Sequence, residues 1–325
     1  MPSILSGLRF PHTRVLLPRT RLAYIHVRNL LTDAKRDRSA RVSAYVAISL
    51  PEEFLIFYLL RGEVVNATVH DGRGPRPVSI AYALERIPAE PEYGDICFLE
   101  ADERQLACMF VSQSSADDPW PADMKVTDPA VLFPYLMAMT FDGMLEIIAE
   151  DTVNYLVFRN GAIHRTFLAT THHGTPADRV AKLFAREGQA TGTRVRRWEQ
   201  VPELPVQAPP ALIQAYRDLT AGLVQRLVGA GRDSAPVIAE HARQNLEATY
   251  PVLHAFCAAG RATGDVTADA GQLTEAVSAW IKDLLLAAAD PESASPEEML
   301  RELTWERRHM FQSAGLYGHL PWRVL

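Results

Sequence analysis

The chain has 325 residues, 33 Lys and Arg against 39 Asp and Glu, and 48% hydrophobic residues. That length and apolar fraction exclude a largely disordered chain, and the three cysteines exclude a scaffold built on disulfides. Apolar runs of membrane-spanning length are all interrupted: Val42–Leu60 by Pro51, Glu52 and Glu53, and Ala130–Ala149 by Asp142 and Glu146, so no transmembrane helix is expected.

Met1–Leu17 shows neither a long apolar core nor a small-residue cleavage motif. No secretory leader is expected, and the sparse cysteines fit a reducing cytoplasm. Residues 1–41 hold nine Lys and Arg and two acids, a charge of +7 that leaves −13 for the rest of a −6 chain. Arg9, Arg14, Arg19 and Arg21 of a basic arm, residues 1–21, are candidate contacts for an acidic partner, an anionic membrane surface or a membrane complex. The plain alternative is a solvated arm that offsets the acidic body. A pI near 5.9 argues against nucleic acid.

Beyond the arm, Leu22–Asp37 reads as a helix with Leu22, Ile25, Leu30 and Leu31 as its apolar positions, and Val42–Leu50 as a strand. Leu55–Ala67 reads as a hairpin. An apolar, β-branched and aromatic run leads to a polar turn holding Gly62 and then to a second apolar run. A helix, Pro77–Ile87, and a strand, Gly94–Glu100, follow. The order then recurs. Asp128 caps a helix that starts at Pro129 and runs to about Met139, Met144–Ala149 reads as a strand, and Asn154–His164 as a hairpin turning at Gly161. Thr175–Glu187 is a helix and Arg194–Gln200 a strand. Gly62 and Gly161 are the structural turn residues of this weak duplication, since each supplies the positive φ that a tight turn requires. A small antiparallel sheet with helices on one face is the economical way to bury these apolar faces.

The segment Arg61-Gly62-Glu63-Val64-Val65-Asn66-Ala67, with Gly94-Asp95-Ile96-Cys97-Phe98, resembles the PatA N-terminal (PATAN) domain and its relatives in bacterial regulatory proteins. That family has a strand, a tight turn ending in Gly, a second strand, a helix and a closing strand. The second copy keeps Arg159-Asn160-Gly161-Ala162-Ile163-His164, places Arg165 or Thr166 where a small residue is usual, and closes with an atypical Arg194-Val195-Arg196-Arg197-Trp198. The resemblance spans about residues 22–200. It implies a non-catalytic interaction module, often tied in bacteria to signalling or surface motility, and it brings no catalytic residues.

Four prolines in Val201–Pro210 read as a stiff linker. Helical periodicity then predicts Ala211–Val228, Ala235–Thr249 with a break near Pro251, and Leu273–Ala289. A last helix starts at a capping box, Ser295-Pro296-Glu297-Glu298, and runs to Ala314. Four helices suffice for a bundle. The tail 315–325 is apolar and aromatic, with Tyr317 and Trp322 packing on the bundle or docking into a partner.

The fold class expected is therefore α+β: two small sheet-plus-helix modules in tandem (22–115 and 116–200), a linker (201–210), an all-α helical bundle (211–314) and the tail. Chemical motifs are sparse. There is no P-loop, no GxGxxG after a strand and no GxSxG. Cys97, Cys108 and Cys257 read as buried hydrophobes, and His172-His173 lacks the spaced ligands of a metal site. Glu302, Glu306 and His309 read as a charged helix face paired with Arg301, Arg308 or Arg323. No catalytic, cofactor or metal residues are expected. The functional expectation is a non-catalytic cytoplasmic adaptor that binds protein partners in a bacterial regulatory or multiprotein complex. The alternatives are a peripheral subunit of a membrane assembly and a small-ligand sensor or enzyme with a pocket between the modules.

Overall fold

A computed structural model describes residues 7–36, 42–170, 175–184, 193–257, 266–288 and 295–324. The fold is α+β: two antiparallel sheets with helices, followed by a helical region. The chain divides into two compact units, Met1–Pro77 with Ala83–Pro205, and Val78–Tyr82 with Val206–Leu325.

The first unit begins with β1 (Arg14–Arg21), a 3-10 turn (Leu22–Tyr24), α1 (Val27–Arg36), β2 (Ala44–Ser49), β3 (Phe54–Leu60), β4 (Glu63–Asp71) and β5 (Gly74–Val78). Next come α2 (Ile80–Glu85), β6 (Asp95–Glu100), α3 (Glu103–Ser114), α4 (Pro129–Ala138), β7 (Gly143–Ala149), β8 (Thr152–Arg159), β9 (Ala162–Phe167), α5 (Pro176–Phe184) and β10 (Arg194–Trp198). The sheets have the orders β1-β6-β2-β3-β4-β5 and β10-β7-β8-β9. Their shared part is one topology used twice, with a closing strand beside the first strand and then the hairpin.

The duplication extends to register. Ala44 faces Leu59 and Gly143 faces Phe158, while Ser49 faces Asp95 and Ile148 faces Arg194. Each pair in the second copy lies as far along the chain from its counterpart as Gly161 lies from Gly62. Both hairpins turn on two positive-φ residues, Arg61 and Gly62, and Asn160 and Gly161. That is the type I′ geometry whose twist matches the flanking strands. Both then carry a bulge at the same place, leaving Val65 in one and His164 in the other without a ladder partner.

The two modules are not independent bodies. α3, which sequence periodicity misses, buries every residue from Gln105 to Gln113, so it has no solvent face to betray an amphipathic period. Asp102 caps it by accepting from the Arg104 amide. Its core holds Tyr45, Ala47, Phe54, Ile56 and Tyr58 from one sheet and Met144, Val153, Tyr155, Val157 and Trp198 from the other. The alternate residues of each strand therefore face one shared helix. The far face of the second sheet packs Leu145, Ile147, Leu156 and Phe158 against Leu132 and Leu136 of α4 and Val180 and Leu183 of α5.

Two expected boundaries change. The basic arm 1–21 is not an arm from Arg14 onward. It forms β1, an edge strand on β6, where Pro18 is tolerated because an edge strand can do without one ladder donor. The stretch 201–210 is not a free linker either. Val201 and Leu204 are buried in the α3 core, whereas Gln207 and Ala208 join the helical unit through pairing with Ala268 and Asp269.

The helical unit contains α6 (Pro210–Gly229), α7 (Ala235–Glu247), a 3-10 turn (Pro251–Ala255), α8 (Ala270–Ala287), α9 (Pro296–Thr304), α10 (Arg308–Ser313) and α11 (Leu316–His319). Trp280, Tyr216, Phe256 and Phe311 fill its core. Ser295 caps α9 as expected, accepting from the Glu298 amide, but a 3-10 turn at Trp305–Arg307 breaks the helix predicted to reach Ala314. Val78–Tyr82, read from sequence as part of the first copy's helix, belongs to this unit. Gln207 donates to the Val78 carbonyl and accepts from the Ile80 amide.

Candidate functional site

Among the described residues the most deeply buried charge is Glu146. It sits on β7 opposite Arg196 of β10 and Tyr155 of β8. Arg196 places Nε 2.8 Å and Nη2 2.5 Å from Glu146 Oε1, and the Tyr155 hydroxyl lies 3.1 Å from Ser112 Oγ on α3. The first copy has Ala47, Cys97 and Ile56 at these three positions, so the polar row distinguishes the second copy from the first. Burial pushes the Glu146 carboxyl above its ordinary value, Arg196 pulls it back, and burial also raises Tyr155. The Arg196 guanidinium stacks over Trp198, 5.1 Å from the ring centroid. Each member of this row is held by another member, which makes the row a strut between α3 and the second sheet.

Cys97 and Cys108 behave as packing groups. Burial pushes Cys108 up to about 12 and Cys97 above its ordinary value, so both stay protonated at neutral pH. His172 and His173 lie outside the described residues. Among the described residues no group of three or more His, Cys, Asp or Glu is arranged to hold a metal ion, and no helix is long and apolar enough to cross a membrane.

Gly62 and Gly161 stand at the turns where they were expected. The candidate contacts at the termini are placed differently. Arg9, Arg14 and Arg19 pair with Asp151, Glu100 and Asp95, and Arg21 stands opposite Asp95 in the β1–β6 ladder. The positive charge of this segment is thus largely neutralised within the unit. Tyr317 and Trp322 pack partly buried against their own bundle, alongside buried Leu316, Leu320 and Val324. The apolar side chains of the tail thus extend the core of the bundle. Glu302 pairs with Arg226 of α6 instead of a neighbour in its own segment.

The outer surface of the second copy is unusual. α4 reads PAVLFPYLMA and carries no charge. Leu132 and Leu136 face the sheet, yet Val131, Pro134, Met137 and Ala138 face solvent, Met137 at 64% exposure. Its counterpart α1 keeps Arg28, Asp33, Lys35 and Arg36 outward. A helix that is apolar all round is normally buried. Gly161 sits against the Met137 backbone, which brings the C-terminal end of α4 to the hairpin turn. Beyond that turn β9 is the last strand of its sheet, whereas in the first copy β5 lies on the equivalent β4. Ile163 on β9 is exposed on the α4 side. On the α3 side a polar cleft of about 660 Å³ is lined by Arg104, Arg159, His164 and Arg165, with Asp142 just before β7 and Glu199 just after β10. Sequence reading passed over this surface, although the absence of any charge in Pro129–Ala138 was a visible signal.

A second cavity, apolar and about 390 Å³, opens between Leu8–His12 and the β1, β6 and β2 face, with Tyr45, Phe54, Cys97 and Ala169 in its wall. No family model, no curated protein and no solved structure matches this chain.

Proposed function

We propose that this protein is a non-catalytic cytoplasmic adaptor, two fused PATAN-like units with a helical bundle, which docks a protein partner in a bacterial regulatory complex. The observation that carries the reading is the bare outer face of α4. Keeping Val131, Pro134 and Met137 in water forgoes roughly 25 cal/mol for each Å² of apolar surface that a partner would cover. Tyr45, Tyr58, Cys108 and Tyr155, whose titration burial shifts upward, lie in the packed core around α3, which fits the same reading. The peripheral-membrane alternative loses its main support with the pairing of Arg9, Arg14 and Arg19.

The test is affinity purification from native lysate with the wild-type chain and with Met137→Glu. A partner retained by the first and lost by the second, at unchanged melting temperature, supports the reading. Identical retention by both sinks it.

A second reading, a small-ligand sensor, is favoured by the apolar cavity beside Tyr45 and Cys97, whose size suits a small molecule. An apolar fluorescent dye should bind there and be displaced by Ala47→Phe. A dye signal that ignores this substitution removes that reading.

A further inference from the structure

We infer that the β9 edge is a strand-addition site for an extended segment of a partner protein in which acidic residues alternate with apolar ones. The inference rests on the adaptor reading and names the partner's chemistry. The chain supplies its own template: in the first copy the edge of β4 is occupied by the extended strand β5, tied by Arg76 of β5 to Asp71 of β4. In the second copy the chain after β9 enters α5 instead, and among the described residues no strand lies on β9. An exposed edge presents a row of backbone donors and acceptors ready for another strand.

The two faces of β9 specify the occupant. Phe158 faces Ile163 and Leu156 faces Thr166, and both pairs lie on the α4 side, where the surface is apolar. Val157 faces Arg165 on the α3 side, and Arg159, His164 and Arg104 line the same cleft. Arg159 is exposed and has no ion pair among the described residues, while Arg165 holds Asp102 only at 3.3 Å with half its side chain in solvent. Of the cleft's own acids, Asp142 accepts from the Asn160 amide at the hairpin turn and Glu199 lies 3.7 Å from Arg197, and among the described residues neither forms an ion pair with Arg159 or Arg165. Because successive side chains of a strand alternate in direction, an added strand sets one set of residues against the arginines and the other against Ile163 and α4. Charge complementarity makes the first set Asp or Glu. The same argument disfavours a second copy of this chain, since β9 paired with β9 would bring His164 and Arg165 against their own kind.

The experiment uses the full chain and two fluorescein-labelled peptides, one alternating Glu with Val and the other Lys with Val, read by fluorescence anisotropy. The Glu/Val peptide should bind, weaken with added salt, and slow amide exchange across residues 162–167. The double variant Arg159→Glu, Arg165→Glu should bind it roughly tenfold more weakly and gain affinity for the Lys/Val peptide, a swap that a misfolded variant could not show. Equal binding of both peptides, unchanged exchange in β9, or wild-type dimers abolished by Ile163→Lys would overturn the proposal. Should the Glu/Val peptide fail while Met137→Glu still releases the natural partner, the adaptor reading stands and the strand-addition site falls. Should the peptide bind β9 while Met137→Glu releases nothing, the α4 reading falls instead.

Discussion

At the scale of single residues, the two hairpin turns show what duplication preserved. Asn160 is well suited to the left-handed region, because a short polar side chain tolerates it, whereas Arg61 holds φ 52° without that help. The second copy thus supplies the correction for the first: Arg61→Asn should stabilise the chain by about 0.5 kcal/mol in urea unfolding. Gly161→Ala should do the reverse. A Cβ there would come within 2.6 Å of the Met137 Cα, at φ +77°, so a loss of about 2 kcal/mol or more is expected. At Asp71 the carboxylate accepts from the Arg73 amide and pairs with Arg76, and the amide bond foremost holds its pKa below the ordinary value. Its folded-state pKa is depressed, so its stabilisation is full above pH ~4 and fades as pH falls through the folded value. Asp71→Asn should therefore lower stability by about 1 kcal/mol at pH 7, and the gap to wild type should close as pH falls through the depressed folded-state value.

Among the elements, α3 is the one on which most depends. Leu106 is fully buried in a core drawn from both sheets. Leu106→Ala should cost about 3 kcal/mol, and amide exchange should show both sheets opening together, not the first alone. Protection that fell in β2 and β3 while β7 and β8 kept theirs would show the sheets to be separately stable. The same helix marks the limit of what sequence pattern conveys. The hairpins, α4 and the caps at Asp128 and Ser295 are local, written in turn residues and capping side chains, and were legible. α3 was not, because a helix covered on all sides has no apolar stripe to detect. β1 was not, because three arginines and Pro18 disguise an edge strand as a loose arm. The proposed docking surface was half legible: its residues were all in view, but only the contrast between α4 and α1, and between β9 and β4, distinguishes it from ordinary core.

For the whole molecule, the decisive feature is that the units are not cut cleanly along the sequence. Gln207 is buried and serves Val78 and Ile80 with both ends of its amide. Gln207→Ala leaves those backbone groups without that partner and should destabilise the helical unit by about 2 kcal/mol, seen as a lower urea midpoint for Trp280 fluorescence. A fragment beginning at Val206 lacks Val78–Tyr82 altogether and should melt below the same unit in the full chain.

During synthesis this interlacing imposes a schedule. Val78 and Gln207 are 129 residues apart. The first repeat therefore leaves the ribosome with a short apolar stretch, Val78–Tyr82, whose final neighbours have yet to be translated. A nascent chain stalled before residue 206 should accordingly draw more chaperone than the finished protein.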